Sequence, residues 1–315
     1  MQGLLVREPG GPQVMALSDL PDRAVGPGEV RVRVDAAGVN PVDAGNRADP
    51  AWAGIAPPYV VGYEFAGEAT EVGDGVGHLA AGAAVWGLLP VRGTRWGAYA
   101  QEVVTDAGFI APRPERLSLA EAAALPLAGA TALQLLDRLD PSPGEWMLVH
   151  GAAGGVGHLL VQMARARGVR IAAAASPPRH ALLQRLGVEV VIDRHRPSAL
   201  AALREAVGRD LPLTADLVGG GCLTASLELM AEGGRAGSIV ELAGDLDEAL
   251  DRNLTLHGVL MRPGVDVLAR LGALVEAGAI RPEIDEILPL EQAARAHERV
   301  ESGSGQGKLV LSVPH

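Results

Sequence analysis

Cysteine, lysine and aromatic side chains are scarce in this chain of 315 residues. Cys222 is the only cysteine, Lys308 is the only lysine, and aromatic residues make up 3% of the composition. A single cysteine excludes an internal disulfide and any zinc site built from several cysteines, which fits a reducing compartment. Because arginine supplies the other strongly basic side chains, its abundance by itself indicates no particular ligand.

Long apolar runs and a positive net charge are also absent. No apolar run approaches the roughly 18 residues that a membrane-spanning helix needs. Arg7 and Glu8 interrupt the first segment before a secretory core could form. The formal charge of -11 repels polyphosphates and anionic lipids at long range. We therefore expect a cytoplasmic protein with no nucleic-acid or membrane partner, in which local groups hold any anionic ligand.

What the chain does contain is typical of a folded protein of two domains. Hydrophobic residues at 48% and charged residues at 21% lie near globular averages, and 315 residues exceed what one hydrophobic core usually supports. Near the start, Val30, Val32 and Val34 alternate with Arg31 and Arg33, which is the period of a half-buried strand. Glycine-rich breaks follow, so the first domain is predicted to be rich in β structure.

The pattern changes near residue 118. Ser118 followed by Glu121 predicts a capping box, and an alanine- and leucine-rich helix is expected to about Leu139. Strands and helices then alternate, which favours a parallel, doubly wound sheet. The predicted strands are Trp146 to His150, Val169 to Ala175, Val188 to Ile192, Ala215 to Val218 and Gly237 to Leu242. The predicted helices are Gly155 to Arg167, Pro178 to Leu186, Ser198 to Val207 and Cys222 to Ala231.

The last part of the chain returns to mixed structure. It contains a predicted helix around Val267 to Ala277, another around Leu290 to Ser302, and a closing strand from Lys308 to Val313. We expect this segment to rejoin the first domain. The predicted division is residues 1–118 for the first part of a substrate domain, 119–262 for a dinucleotide-binding domain, and 263–315 for the returning segment.

A glycine-rich loop is the sharpest local feature. The predicted strand from Trp146 to His150 runs into Gly151-Ala-Ala-Gly154-Gly155-Val156-Gly157, after which a helix is expected. Glycines let backbone amides approach a pyrophosphate closely, and the positive end of the helix dipole stabilises that anion. The loop follows a strand, precedes a helix and opens a βαβ series, which is the context that a Rossmann dinucleotide site requires.

The end of the second predicted strand distinguishes the two nicotinamide dinucleotides. NAD-binding domains usually place an acid there to accept hydrogen bonds from the ribose 2′-hydroxyl, whereas this strand ends in Ala173-Ala-Ala-Ser176. Arg179 lies in the next turn and Arg194 follows the third strand, so a 2′-phosphate could contact Ser176 and both guanidiniums. Ordinary surface arginines are the alternative interpretation. The missing carboxylate favours NADP(H) as the cofactor.

Several longer motifs lie along the chain. They are Ala37-Gly-Val-Asn40-Pro-Val-Asp43, Gly62-Tyr63-Glu64-Phe-Ala-Gly67, Leu125-Pro-Leu-Ala-Gly-Ala-Thr131-Ala132, the glycine loop, Asn253-Leu-Thr-Leu-His-Gly258 and Gly307-Lys308-Leu-Val-Leu311. In these motifs and their order, nearly the whole chain resembles the medium-chain dehydrogenase/reductase superfamily, and within it the zinc-free NADPH:quinone oxidoreductases. The resemblance implies an α/β fold with a Rossmann doubly wound parallel sheet and a GroES-like, β-rich substrate domain.

The resemblance also bears on metals. Zinc-containing relatives would carry cysteine at the position of Asn40, histidine at that of Tyr63 and a further ligand near Leu127. Amide, phenol and aliphatic side chains cannot build the tetrahedral array that zinc prefers. Glu64 remains, but a single carboxylate is a poor metal site. We therefore expect no metal, and hydrogen-bond donors must stabilise the oxygen that gains charge.

Site residues follow from the same resemblance. Asn40, Tyr63 and Asp43 are the predicted catalytic residues, expected in the cleft between the domains. Asn40 and Tyr63 are the better donors, and Asp43 is more suited to ordering its loop. A turn role for Asn40 and a packing role for Tyr63 remain alternatives. The predicted cofactor-binding residues are Thr131, Gly154, Gly155, Val156, Gly157, Ser176, Arg179, Arg194, Val218, Ala243 and Lys308.

Three functions stay open. The leading one is NADPH-dependent reduction of a quinone or similar electron-poor small molecule, and the second is reduction of the C=C bond of an enone or enoyl thioester. The third is NADPH binding with little turnover, supported only by Ala44-Gly45-Asn46, which stands where many family members carry a tyrosine. A homodimer is also expected, through an edge strand of the cofactor domain at Gly237 to Leu242 or at Leu254 to Leu260.

Overall fold

A computed structural model describes residues 1–315, which divide into two compact units. The first unit comprises Met1–Ala130 and Arg262–His315, and the second comprises Thr131–Met261. None of the helices combines the length and the apolar character that crossing a bilayer requires.

The part of the first unit before residue 130 is built mainly from strands. The strands are β1 (Gln2–Val6), β2 (Met15–Asp19), β3 (Glu29–Val39), β4 (Glu64–Val72), β5 (Ala84–Leu88), β6 (Glu102–Asp106) and β7 (Ile110–Pro112). Two helices, α1 (Pro41–Ala48) and α2 (Leu119–Ala124), accompany them. In β3 the side chains of Val30, Val32 and Val34 are fully buried, which confirms the alternation predicted for this strand.

The second unit is a parallel sheet with helices between its strands. The strands are β8 (Trp146–His150), β9 (Arg170–Ala175), β10 (Val190–Asp193), β11 (Leu211–Asp216), β12 (Met230–Ser238) and β13 (Thr255–Gly258). The helices are α3 (Pro126–Leu139), which enters this unit at Thr131, α4 (Gly157–Ala166), α5 (His180–Arg185), α6 (Ala199–Val207), α7 (Cys222–Leu227) and α8 (Asp247–Asp251).

The strand order confirms the doubly wound prediction. The order is β10-β9-β8-β11-β12-β13, and every neighbouring pair is parallel. All five residues of β8 are buried, as expected for a central strand covered on both faces. The chain order reverses direction beside β8, so the carboxyl end of β8 lies at the switch point where such sheets bind ligands.

The tail of the chain belongs to the first unit. It forms α9 (Val265–Glu276), β14 (Ile284–Pro289), α10 (Ala293–Glu301) and β15 (Lys308–Ser312). The main sheet of this unit has the order β14-β15-β3-β4-β5-β7, with β6 also paired to β3. β15 is antiparallel to β3 and pairs Leu309 with Val39. This register brings Lys308, at the start of β15, next to Asn40.

The helix predicted from Ser118 to Leu139 is broken into α2 and α3. Its capping box is present, since the Ser118 amide donates to Glu121 Oε2 at 2.9 Å and the Glu121 amide donates to Ser118 Oγ at 3.3 Å. Pro126 has no amide hydrogen and restricts the residue before it, so α2 ends at Ala124 and α3 begins at Pro126. α2 packs on β3, β4 and β15, which places it in the first unit.

Several boundaries in the second unit also differ from the prediction. The strand expected from Ala215 to Val218 runs from Leu211 to Asp216. The helix expected from Cys222 to Ala231 ends at Leu227, and the strand expected from Gly237 to Leu242 runs from Met230 to Ser238. Gly233, two residues after the predicted end of that helix, has φ +70° and lies where the pairing of β12 with β11 shifts register. In the sequence, a glycine at a β-bulge cannot be distinguished from a glycine that ends a helix. The pairing of β12 with β11 decides in favour of the bulge.

Candidate active site

The loop between β8 and α4 presents three backbone donors. The Gly154 amide donates to Gly151 O at 2.9 Å and the His158 amide donates to Gly154 O at 3.1 Å, whereas the amides of Gly155, Val156 and Gly157 donate to no group of the protein. They lie at the start of a ten-residue helix without a side-chain cap. Unpaired amides at a helix N-terminus suit a pyrophosphate, so these residues fit a bound dinucleotide.

Gly157 packs this helix tightly against the loop. A Cβ at this position would lie 2.1 Å from Gly151 O and 2.6 Å from the Cα of Ala152. Both contacts are with backbone, which cannot move aside as a flexible side chain can. Glycine is therefore required here for the close approach of helix and strand.

The ends of β9 and β10 lie side by side. Asp193 pairs with Ala175, and the amide of Arg194 donates to Ala175 O at 3.1 Å, which brings Arg194 beside Ser176. Arg194 is exposed, and its guanidinium donates to His195 Nε2 at 3.4 Å. The carboxylate of Asp193 accepts the amide of His195 at 3.0 Å within its own turn. Arg179 lies in the short helix after Ser176, as the sequence predicts.

Asp216 orders a second loop of this unit and was not singled out from the sequence. The buried carboxylate accepts the amides of Val218 at 2.9 Å and Gly219 at 3.0 Å, and its other oxygen accepts Ser238 Oγ at 3.2 Å. Val218 is 52% exposed beyond the end of β11, and Ala243 is exposed in the loop after β12. The sequence signal that could have identified Asp216 is an acidic residue at the end of a strand, followed by three consecutive glycines.

A buried polar cluster lies in the first unit and consists of Asn40, Glu64 and Lys308, hereafter the Glu64 cluster. Glu64 Oε1 accepts Lys308 Nζ and Asn40 Nδ2, both at 2.7 Å. Glu64 Oε2 accepts the amide of Leu127 at 2.7 Å, near the N-terminus of α3. The side chains of Glu64 and Lys308 are 0% and 2% exposed. The ammonium therefore neutralises a carboxylate that would otherwise be buried alone.

The ammonium of Lys308, which the sequence predicted to contact the cofactor, is bound by groups of the protein. It donates to Val39 O at 2.9 Å, to Glu64 Oε1 at 2.7 Å and to Asn40 Oδ1. An ammonium has three donors, and all three are used. These oxygens already surround the ammonium of Lys308, which is itself a cation. No group of three His, Cys, Asp or Glu side chains suited to a metal ion occurs in the structure. These residues do not fit a zinc ion.

Asn40 and Asp43 begin helix α1. The side chain of Asn40 is held by the Glu64 cluster, which uses its oxygen and one of its two N–H donors. Asp43 Oδ2 accepts the amide of Asn40 at 2.6 Å. Burial raises the pKa of Asp43 to about 7, against the hydrogen bond from the Asn40 amide and the charge of Lys308, which act to lower it. Asp43 thus orders the loop, as its predicted role requires.

Tyr63 is completely buried and immediately precedes β4. Asn46 Nδ2 donates to Tyr63 Oη at 2.7 Å and to Val91 O at 2.9 Å. Burial raises the pKa of Tyr63 well above its usual range, so the phenol stays neutral. Its hydroxyl proton has no acceptor in the protein. Asn46, noted in the sequence only as a departure from the family, is therefore the residue that orients Tyr63. Thr131, also predicted as a site residue, is 6% exposed in α3.

Comparisons with known proteins cover the whole chain. A model of the alcohol dehydrogenase GroES-like domain matches residues 26–115, and a model described as zinc-binding dehydrogenase matches residues 186–311. Mouse quinone oxidoreductase is 30% identical over 99% of this chain and 97% of its own length. The 2-haloacrylate reductase of a Burkholderia species is 30% identical over 98% of this chain and 97% of its own length.

Two further comparisons concern a longer protein and a solved structure. The pikromycin polyketide synthase component PikAII of Streptomyces venezuelae is 33% identical over 98% of this chain, which spans 8% of that protein. The structure of the quinone oxidoreductase from Coxiella burnetii is 32% identical, with a TM-score of 0.91, and the match covers 100% of this chain and 99% of that one. The chain belongs to the medium-chain dehydrogenase/reductase superfamily, in its quinone oxidoreductase-like part, and is an oxidoreductase that uses a nicotinamide dinucleotide.

Proposed function

We propose that the enzyme transfers hydride from NADPH to a quinone or a similar electron-poor acceptor, without a metal ion. The choice of NADPH rests on the end of β9. There Ser176 lies beside the exposed Arg194, and no carboxylate occupies the position that it usually has in NAD-binding domains. The likeness to mouse quinone oxidoreductase supports the acceptor class.

The second unit holds the cofactor in this proposal. The amides of Gly155, Val156 and Gly157 bind the pyrophosphate, and Ser176, Arg179 and Arg194 contact the 2′-phosphate. Bound NADPH supplies the hydride. The full set of proposed cofactor-binding residues is Thr131, Gly154, Gly155, Val156, Gly157, Ser176, Arg179, Arg194, Val218 and Ala243.

The first unit supplies two donors to the acceptor. The second N–H of Asn40 and the hydroxyl proton of Tyr63 are not used within the protein. Donors fixed in advance stabilise an oxygen that gains negative charge as hydride arrives. Asp43 keeps Asn40 in place through its amide. A hydroquinone anion can take its proton from water, so this reaction needs no dedicated acid.

Reduction of an activated C=C bond is the second candidate. The same two donors would stabilise the enolate oxygen, and the likeness to 2-haloacrylate reductase favours this reaction.

Initial rates distinguish quinone reduction from C=C reduction. They are measured with NADPH and with NADH, each with a simple quinone and with an α,β-unsaturated ketone as the acceptor. Faster turnover of the quinone with NADPH supports the proposal, and faster turnover of the enone supports the second candidate. Tight NADPH binding without oxidation over a broad panel would instead indicate a binding protein.

Replacing Arg194 by alanine tests the cofactor choice. We expect kcat/KM for NADPH to fall roughly tenfold, because a charge-assisted hydrogen bond to the 2′-phosphate is lost, whereas kcat/KM for NADH stays unchanged. Arg209→Ala is the matched control, since Arg209 is an exposed arginine beyond the end of α6. Equal losses with both cofactors, or the same loss in the control, would contradict the assignment.

We also propose that the chain forms a homodimer through β13. β13 lies at the end of the sheet with one paired neighbour, and Leu242 and Leu260 are 46% and 50% exposed. β12 is paired on both sides, so the alternative edge at Gly237 does not exist. Unpaired apolar edges favour association. Sedimentation velocity at micromolar concentration should show a dimer, and a single monomer boundary would reject this proposal.

A further inference from the structure

Two loops of the first unit carry an arginine and a tryptophan that stack on each other at the surface. The Cζ atom of Arg92 lies 4.3 Å from the centroid of the Trp52 ring. Trp52 is 44% exposed, and Arg92 is exposed as well. The proposed function uses neither side chain. We call Trp52 and Arg92 the Trp52 pair.

The loop of Arg92 runs alongside Tyr63. The amide of Leu89 donates to Tyr63 O at 2.7 Å. Two residues later, Val91 O accepts Asn46 Nδ2 at 2.9 Å, and the same nitrogen donates to Tyr63 Oη at 2.7 Å. The side-chain amide of Asn46 thus connects the hydroxyl that is proposed to face the acceptor with the peptide unit that joins Val91 to Arg92.

The loop of Trp52 is joined to that of Arg92. The amide of Gly93 donates to Ala53 O at 2.8 Å, so the residues that follow the two members of the pair are hydrogen bonded to each other. Ala53 is buried, whereas Trp52 before it is exposed. The Trp52 pair therefore lies at the surface of the first unit, beside the buried Tyr63.

The guanidinium of Arg92 has no acceptor in the protein. Its one contact of this kind is the stack on Trp52, whereas Nε of Arg95 in the same loop donates to Pro58 O at 2.8 Å. Stacking on an indole ring restrains the guanidinium plane and leaves its N–H donors at the edge of that plane. A guanidinium held in this way is prepared for two parallel hydrogen bonds to a carboxylate or a phosphate.

The charge of the two loops also favours an anion. The whole chain has a formal charge of -11, so it repels an anionic molecule at long range. The two loops, residues 49–58 and 89–97, contain two arginines and a single acidic residue. That residue, Asp49, accepts the amide of Ala51 at 3.1 Å within its own loop. The Trp52 pair is thus a local cationic group in an anionic protein.

We infer that the Trp52 pair binds an anionic group, a carboxylate or a phosphate, that the acceptor carries in addition to the group that is reduced. Arg92 supplies the charge and the hydrogen bonds, and the ring of Trp52 fixes the guanidinium. The inference rests on the proposed function, because Tyr63 is the donor that faces the acceptor. It narrows the acceptor class to electron-poor molecules with an acidic substituent or a phosphate-bearing carrier.

Two matched pairs of acceptors test the inference. The first pair is a 1,4-naphthoquinone with a propionate side chain and the methyl ester of that compound. The second is crotonyl-coenzyme A and the crotonyl thioester of N-acetylcysteamine, which has no phosphate. Within each pair the reducible group is the same. The measured quantity is kcat/KM for the anionic acceptor divided by kcat/KM for the neutral one, with NADPH as the hydride donor.

Replacing Arg92 by glutamine should lower this ratio about fivefold, the upper range for an exposed ion pair. A fall for the naphthoquinones identifies a carboxylate as the bound group, and a fall for the thioesters identifies a phosphate of the carrier. Trp52→Leu keeps the charge of Arg92 but removes the ring that fixes it, so the ratio should fall less than in Arg92→Gln. An unchanged ratio for both pairs in Arg92→Gln overturns the inference.

Arg95→Gln is the matched control. Arg95 belongs to the same loop and also stacks on a tryptophan, with its Cζ atom 5.1 Å from the centroid of the Trp96 ring. Because its guanidinium already donates to Pro58 O, the ratio in Arg95→Gln should stay within about twofold of the parent value. A fall as large as that in Arg92→Gln would reflect the charge of the loop in general and would overturn the assignment to Arg92.

Equilibrium binding distinguishes a failure of this inference from a failure of the proposed function. Calorimetric titrations with NADP⁺ present use two pairs that cannot accept hydride, 3-(1-naphthyl)propionate with its methyl ester and the butyryl thioesters of coenzyme A and N-acetylcysteamine. In at least one pair, the preference for the anion should be about fivefold smaller in Arg92→Gln than in the parent protein. Equal preferences in both proteins overturn the inference, whereas failure of the parent protein to reduce any acceptor overturns the proposed function.

Discussion

Replacing Lys308 by methionine is expected to lower the free energy of unfolding by about 3–5 kcal/mol, the cost of leaving a buried charge without its partner. The ammonium donates to Glu64, Asn40 and the Val39 carbonyl, and methionine offers none of these hydrogen bonds. The carboxyl group of Glu64 would be left fully buried without the cation that compensates it. Urea unfolding of the variant and the parent protein measures the difference.

Two further variants make this result specific to the buried pair. Arg116→Met breaks an ion pair of the same unit whose side chains are 63% and 51% exposed, and it should cost no more than about 1 kcal/mol. Lys308→Met combined with Glu64→Gln removes the charge left behind and should recover part of the stability. If Lys308→Met were no more destabilising than Arg116→Met, the Glu64 cluster would not support the fold of this unit.

Replacing Gly157 by alanine is expected to weaken NADPH binding roughly 100-fold, or about 3 kcal/mol. The added Cβ would lie 2.1 Å from Gly151 O, so the loop must move away from the start of α4. The unpaired amides of Gly155 and Val156 would then no longer converge on the pyrophosphate. Titration of NADPH fluorescence measures the dissociation constant, and circular dichroism verifies the fold.

Two other glycines provide the comparison. A Cβ at Gly154 would lie 3.3 Å from Gly151 O, so Gly154→Ala should weaken binding much less than Gly157→Ala. A Cβ at Gly77 meets nothing within 4 Å, so Gly77→Ala should bind NADPH like the parent protein. Unchanged affinity in Gly157→Ala would show that the close packing of helix and loop has no part in holding the cofactor.

The features that sequence patterns predicted correctly are those in which near neighbours interact. They are the alternation in β3, the capping box of Ser118 and Glu121, and the succession of strand, glycine loop and helix along the chain. Each depends on residues a few positions apart. The break at Pro126 was missed, since one helix was expected from Ser118 to Leu139, although a proline that removes a helix donor was a usable signal. The bulge at Gly233 could not be predicted from local patterns, because it depends on pairing with β11.

The partners of the polar side chains required the tertiary structure. Lys308 and Glu64 are 244 residues apart, and Arg47 and His297 are 250 apart. The sequence suggested that Lys308 contacts the cofactor, but the pairing of β15 with β3 directs its ammonium to Glu64. Tyr99 and His297 carried no recognisable motif, because the contact between their side chains joins residues 198 positions apart.

By itself the sequence determined the parallel cofactor sheet, its glycine loop and the lack of an acid after the second strand of that sheet, because each is written in short, contiguous patterns. Only the tertiary structure decided which donors remain unused and which carboxyl groups are buried. Both properties arise when strands and helices far apart in the chain come together and exclude water, and that step sets hydrogen-bond partners and pKa values alike.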